Sequence, residues 1–166
     1  MSCNNDKEDL GSHVNNTHNV EINGEIQSIA SKTPAFLSNL SSVEPGEEGY
    51  GLSISITLSD KTFVNFIFYN NDENAENVIL GEYTTNFETA ISNTECRYFY
   101  VSALNSNNEL FISVDDIYNH NIELIKCDKT SKLTSGAYDV TLTNPQNNET
   151  MRLKGIFTNE PIIVSN

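Results

Sequence analysis

Hydrophobic residues recur with a period of two along most of this chain. Between residues 52 and 58 every second residue is apolar, and Ser or Thr fills the positions between them. This alternation places the apolar side chains on one face of a β-strand and the polar ones on the other. Residues 62–69 carry apolar side chains on both faces, which predicts a central strand or one covered on both sides.

Turn signals separate the apolar runs. Asn23-Gly24 lies between two short alternating segments, and this pair favours a tight hairpin because both turn positions take φ > 0. Residues 87–91 are compatible with one helical turn or with irregular structure. Pro161 is expected to begin a C-terminal segment outside the strands. Outside this hairpin, the clearest strands are expected over residues 52–58, 62–69, 78–84, 97–104, 110–114, 122–127, 136–143 and 150–157.

These elements predict an all-β fold of about nine or ten short strands, arranged as an antiparallel β-sandwich or a barrel-like structure. Residues 20–166 are expected to form this single domain. Residues 1–19 are rich in Asn, Asp, Glu and Ser. Such a segment buries too little apolar surface to offset its ordering entropy, so we expect a disordered, flexible tether.

The charge balance limits the possible partners. The chain has 23 acidic and 9 basic residues, a formal net charge of −14. Nucleic acids and anionic lipid surfaces both require clustered Lys and Arg, so neither is an expected partner. No run approaches the ~20 apolar residues that span a bilayer as a helix.

A cysteine near the N-terminus is followed by a polar, acidic stretch. Cys3 in this setting is typical of the mature end of a bacterial lipoprotein, in which a lipid on the cysteine anchors a folded domain. We therefore predict lipidation of Cys3, after removal of the secretion signal, and the alternative is a chance free thiol. The lipid would be the contact with the membrane.

The chain resembles the small lipoproteins of Bacteroidota whose β domains have no known function. The resemblance rests on three segments: Ser2-Cys3 followed by Asp6, Glu8 and Asp9; the hairpin of residues 20–25; and the pair 135–140 and 153–159, in each of which a Gly precedes an inward aromatic residue. It implies a barrel-like or sandwich lipoprotein attached to the outer membrane, with no assigned reaction. The acidic residues after Cys3 resemble a surface-export signal, but Lys7 interrupts them, so the cell surface and the periplasmic face both remain open.

Two further cysteines lie at the edges of predicted strands. Cys96 and Cys127 form a disulfide in one interpretation, because an extracytoplasmic compartment is oxidising. In the other they are small buried residues.

Motifs for catalysis or cofactor binding are absent from the sequence. It contains no G-x-S-x-G, no H-E-x-x-H and no Gly-rich phosphate loop. We expect no cofactor and no metal site: His13 and His18 fall in the predicted tether, and His120 falls in a loop. Tyr98 and Tyr100 share one strand face and form a candidate ligand platform. Core packing of both tyrosines is the favoured alternative.

The sequence therefore predicts a non-catalytic binding or interaction module, with another envelope protein as the expected partner. One alternative is a carbohydrate- or small-ligand-binding lipoprotein of a nutrient-capture system. A second is a hydrolase that uses carboxylates, which requires two or more Asp or Glu in a cleft with raised pKa values.

Overall fold

A computed structural model describes residues 17–41, 48–70, 78, 80–92, 97–114 and 120–164. The predicted lipidation site, Cys3, and the predicted disulfide partner Cys96 lie outside these ranges. Statements about the tether before residue 17 therefore remain predictions from the sequence.

The described chain consists almost entirely of β-strands, which confirms the predicted fold class. It forms twelve strands and one short helix, two strands more than the upper end of the predicted number. The bounds are β1 Thr17–Ile22, β2 Glu25–Gln27, β3 Ile29–Lys32, β4 Ala35–Ser41, β5 Glu48–Leu58, β6 Phe63–Asn70, β7 Gly81–Glu82, α1 Phe87–Ile91, β8 Tyr98–Leu104, β9 Leu110–Ser113, β10 Asn121–Asp128, β11 Leu133–Thr143 and β12 Thr150–Val164.

The strand pairings close on themselves in a barrel-like ring. The cycle runs β12–β4–β5–β6–β8–β9–β11 and returns to β12 through the β11–β12 hairpin. The pairing of β12 with β4 is parallel, whereas the other strand pairs of the cycle are antiparallel. Among the paired strands the predicted antiparallel arrangement thus holds with one exception, which comes from the last residues of β12, and an isolated bridge between Thr84 and Tyr98 is also parallel.

Two predicted boundaries were wrong. β1 begins at Thr17, so His18 and Asn19 belong to the folded domain and not to the tether. The reason is packing, because the His18 side chain points inward and is 1% exposed. Pro161 lies within β12, which continues beyond it to pair with β4. Ile162 N–H donates to the Lys132 carbonyl, so the nitrogen of Pro161 points away from β11 and its missing N–H removes no hydrogen bond with that strand.

The interior of the ring is filled largely by aromatic rings. The Phe68 ring lies 4.7 Å from that of Phe99 and 5.2 Å from that of Tyr83, measured between centroids. The Phe66 ring lies 4.5 Å from that of Tyr138. These separations are typical of favourable aromatic pairs. Leucine, isoleucine and valine side chains complete the same buried cluster.

Two glycines make room for the largest of these rings. In the β11–β12 hairpin, Gly136 is opposite Phe157 and Gly155 is opposite Tyr138. A Cβ atom on Gly136 would lie 2.5 Å from the Phe157 ring, and one on Gly155 would collide with the Tyr138 phenol. The aromatic side chains therefore lie across bare backbone on the neighbouring strand. The two Gly-x-aromatic segments noted in the sequence are thus halves of one reciprocal arrangement.

A β-bulge in β12 changes which side chains face inward. Thr158 and Asn159 together oppose the single residue Ser135, and Asn159 takes a φ of 52°. Its backbone N–H donates to the Ser135 hydroxyl at 2.9 Å. Asn tolerates this left-handed conformation better than most residues. Because of the extra residue, Phe157 and Glu160 both point inward.

Candidate functional site

Four polar side chains meet inside the ring. We call His18, Lys32, Tyr138 and Glu160 the polar cluster. The Tyr138 hydroxyl lies 3.0 Å from His18 Nε2, and Lys32 Nζ donates to Glu160 Oε1 at 2.8 Å. His18 Nδ1 lies 3.7 Å from the same Glu160 oxygen. The cluster links β1, β3, β11 and β12, which are distant in sequence.

The protonation states within the cluster follow from burial. Burial raises the pKa of Tyr138 well above its ordinary value, so its hydroxyl keeps its proton and hydrogen-bonds with His18 Nε2. Burial, with a smaller contribution from the Lys32 ammonium, lowers the pKa of His18 from 6.5 to about 4. His18 is therefore a neutral imidazole at pH 7.

Glu160 is a buried carboxylate that depends on its neighbours. Its side chain is 2% exposed, whereas that of Lys32 is 31% exposed. Lys32 therefore extends from the rim of the ring toward an interior carboxylate. A buried charge is costly unless it is paired, so the Lys32 contact is what makes Glu160 tolerable in this position.

A second feature lies on the outside of the ring. The outward positions described on β4, β5, β6, β8 and β9 carry no Asp, Glu, Lys or Arg. We call this surface, together with the adjoining Ile163 of β12, the uncharged face. Its large apolar residues are 37–48% exposed: Phe36, Phe63, Leu104, Leu110 and Ile163.

Strand register aligns these apolar residues in rows. Phe63 is opposite Leu104, and Leu104 is opposite Leu110, which gives one row across three strands. Ile163 is opposite Phe36 at the other side of the face. Between them the outward side chains of β5 are small and hydroxylated, and Ser55 donates to Asn65 at 2.9 Å. The face therefore combines apolar rows with hydroxyl groups.

The chain covers one end of this face itself. Ala90 of α1 is buried against Tyr69, and Ile67 and Tyr98 pack around them. The Asn86 side chain caps the helix by accepting from the Thr89 N–H at 2.7 Å. The apolar residues predicted on both faces of residues 62–69 are thus explained: one set fills the interior, and part of the other set lies under α1.

The predicted platform residues lie on this face. Tyr98 and Tyr100 share the outward side of β8, as predicted, while Phe99 and Val101 occupy the interior with no exposed surface. Neither tyrosine belongs to the large interior cluster, but the favoured alternative of core packing holds for Tyr98 in the smaller buried cluster under α1. Tyr98 packs against the cluster under α1, and Tyr100 is opposite Ile67.

The other predicted site residues are only partly described. Cys127 is buried on β10. Cys3 and Cys96 lie outside the described residues, so lipidation remains a prediction and the disulfide remains one of two interpretations. Within the described ranges, no group of three or more His, Cys, Asp or Glu is arranged to hold a metal ion. The described part of the chain also has no helix with the length and apolar character needed to cross a membrane.

Sequence reasoning missed the polar cluster. His18 lies in a polar stretch that was assigned to the tether, and Glu160 faces inward only because of the bulge at Asn159. The inward alternation of His18 with Val20 and Ile22 was the one available signal.

The chain matches no family model, no curated protein and no solved structure.

We expect Lys32→Met to lower the free energy of unfolding by roughly 2–3 kcal/mol, because it leaves a buried carboxylate without its cation. Glu160→Gln in the same background should recover much of the loss. Urea unfolding at pH 7.5 of both single variants and the double variant measures this coupling. Lys154→Met, at an exposed position of β12, is the control. Equal effects of Lys32→Met and Lys154→Met would show that the pair contributes nothing.

Proposed function

We propose that this chain is a non-catalytic binding module of the bacterial cell envelope, anchored by a lipid on Cys3, which binds a protein partner through the uncharged face. The observation that carries the proposal is the absence of charge on the described outward positions of five strands, in a chain with a net charge of −14. A surface that serves only solubility would carry its share of that charge.

The composition of the face favours a protein partner. The cores of protein interfaces are depleted in charged residues and enriched in aromatic ones, and contiguous exposed apolar surface commonly marks such a site. Phe36, Phe63 and Tyr100 supply the aromatic side chains. The packing of Ala90 of α1 against Tyr69 shows that an apolar helical side chain fits one end of this face. A partner with an apolar contact surface would continue that packing.

The interior offers less support for ligand binding. Its centre is occupied by ring-on-ring contacts, with Phe68 lying 6.0 Å from Phe157 and 4.7 Å from Phe99 between centroids. A close-packed interior contributes stability rather than a ligand cavity. We therefore propose that the partner binds on the outside of the ring.

The alternatives make different demands on the structure. Carbohydrate binding would use Tyr100 with the hydroxyl groups of the uncharged face. Carboxylate hydrolysis would need acids with raised pKa values. The described acids with shifted pKa values are Asp128 and Asp139, and hydrogen bonds from Ser131 and Arg152 respectively lower both. Because the pKa values of both acids are lowered and not raised, they favour a binding function over hydrolysis.

Site-specific photo-crosslinking in the native host tests the proposed face. A benzoylphenylalanine in place of Phe63 or Leu104 should give one discrete protein adduct. Leu110→Asp should reduce that adduct by roughly tenfold, because it places a charge in the same row. The matched controls are the same probe at Ile26 and Ile125, two exposed apolar residues away from the face.

The outcomes are distinguishable. Equal labelling from the control positions, or no adduct from the face, would refute the proposed surface. An adduct that glycosidase treatment removes would favour the carbohydrate alternative.

The anchor has its own test. The full reading frame expressed in the native host should yield a protein with a lipid-sized mass increment, and Cys3→Ala should lack it. Cleavage by protease added to intact cells would place the domain on the surface, and protection would place it on the periplasmic side. An unmodified Cys3 in the wild-type protein would refute the anchor.

A further inference from the structure

The first hairpin, β1 and β2, is attached to the ring along one edge. β1 pairs with β12 over Thr17–Ile22, and β2 pairs with β1. The closed cycle of pairings runs through β12, β4, β5, β6, β8, β9 and β11 and includes neither strand. The hairpin can therefore leave β12 without breaking a pairing of the ring.

Several contacts hold the hairpin in place, and one of them is made by a titratable side chain. Val20 and Ile22 pack against the core from the inward side of β1. At the turn, Asn23 N–H donates to the Arg152 carbonyl, and Arg152 N–H donates to the Asn23 side chain, each at 2.9 Å. His18 is the remaining inward residue of β1, and its imidazole can change charge.

Burial and the Lys32 ammonium disfavour a second proton on the His18 imidazole. The Tyr138 hydroxyl of β11 lies 3.0 Å from Nε2, and Lys32 of β3 adds a cation nearby. Glu160 of β12 is the nearby anion, but Lys32 already holds the oxygen that Nδ1 approaches. Phe66 of β6 adds an uncharged ring 6.1 Å away. A second proton would leave a cationic imidazolium in a site where its side chain is 1% exposed and where Lys32 already pairs with the neighbouring carboxylate.

We propose that His18 is a proton-sensitive latch, which in its neutral form holds the β1–β2 hairpin against β12 and in its protonated form releases the hairpin while the ring stays closed. Release would free the strand that leads to the tether. It would also expose the β12 edge, which a strand from another chain could then pair with. The latch requires neither the uncharged face nor the lipid anchor.

The direction of the pH effect follows from linkage. In the closed state the His18 pKa is about 4, and in a released, solvated strand it returns to 6.5. The released state therefore binds the proton more readily, so release is favoured as the pH falls from 6.5 toward 4. Between pH 7.5 and pH 5 the equilibrium constant for release should rise about thirtyfold. Above pH 7 the latch stays closed.

Hydrogen exchange on the full chain tests the proposed release of the hairpin. Peptides covering residues 17–27 are compared with peptides of β5 and β6, after correction for intrinsic exchange rates, at pH 7.5 and pH 5. The hairpin should be less protected than the ring at both pH values, and its protection should fall about thirtyfold. His18→Gln keeps an acceptor for Tyr138 and should remove the fall, whereas His120→Gln should leave it unchanged.

Two results would overturn the latch. Equal protection of residues 17–27 and the ring strands would mean that the hairpin opens only when the whole domain unfolds. An unchanged pH response in His18→Gln would assign the effect to another group. An NMR titration of the wild-type chain needs no variant: His18 should titrate below pH 5 together with the hairpin amides, and titration near 6.5 without amide shifts would refute the proposal.

Discussion

The reciprocal packing of two glycines and two aromatic rings in the β11–β12 hairpin is the constraint on which the interior depends. Each ring occupies the space that a Cβ on the opposite strand would fill. Phe157 is thereby brought against Phe68, and Tyr138 against Phe66, so the hairpin is tied to the far side of the ring. The same placement directs the Tyr138 hydroxyl toward His18. Core packing and the polar cluster thus share one cause.

The bulge at Asn159 places the charged part of the polar cluster. It turns Glu160 inward and carries the end of β12 to its parallel pairing with β4, which closes the cycle. One irregular residue therefore both completes the ring and introduces a charge into it. Lys32 compensates that charge from the rim, and His18 stays neutral beside it. The outer surface differs from the interior: although the chain is strongly acidic, the described outward positions of the uncharged face carry no Asp, Glu, Lys or Arg.

Much of the fold could be predicted because its signals are local. Period-two alternation located most strands, and Asn23-Gly24 forms the expected turn with φ values of 52° and 87°. The double-sided pattern of residues 62–69 correctly indicated cover on the outer face. The polar cluster could not be predicted, because it depends on a bulge that breaks the alternation and on pairings between distant strands. His18 was assigned to the tether because the residues around it in the sequence are polar. In the structure its side chain packs inside the domain, and the composition of the segment does not reveal this.

Nuclear Overhauser spectra of the folded domain test the central claim most directly. The glycine–aromatic packing predicts cross-peaks from the Gly136 α-protons to the Phe157 ring and from the Gly155 α-protons to the Tyr138 ring. It also predicts upfield ring-current shifts of both glycines. Glycine α-protons at random-coil positions, with no cross-peaks to these rings in a folded sample, would contradict the account.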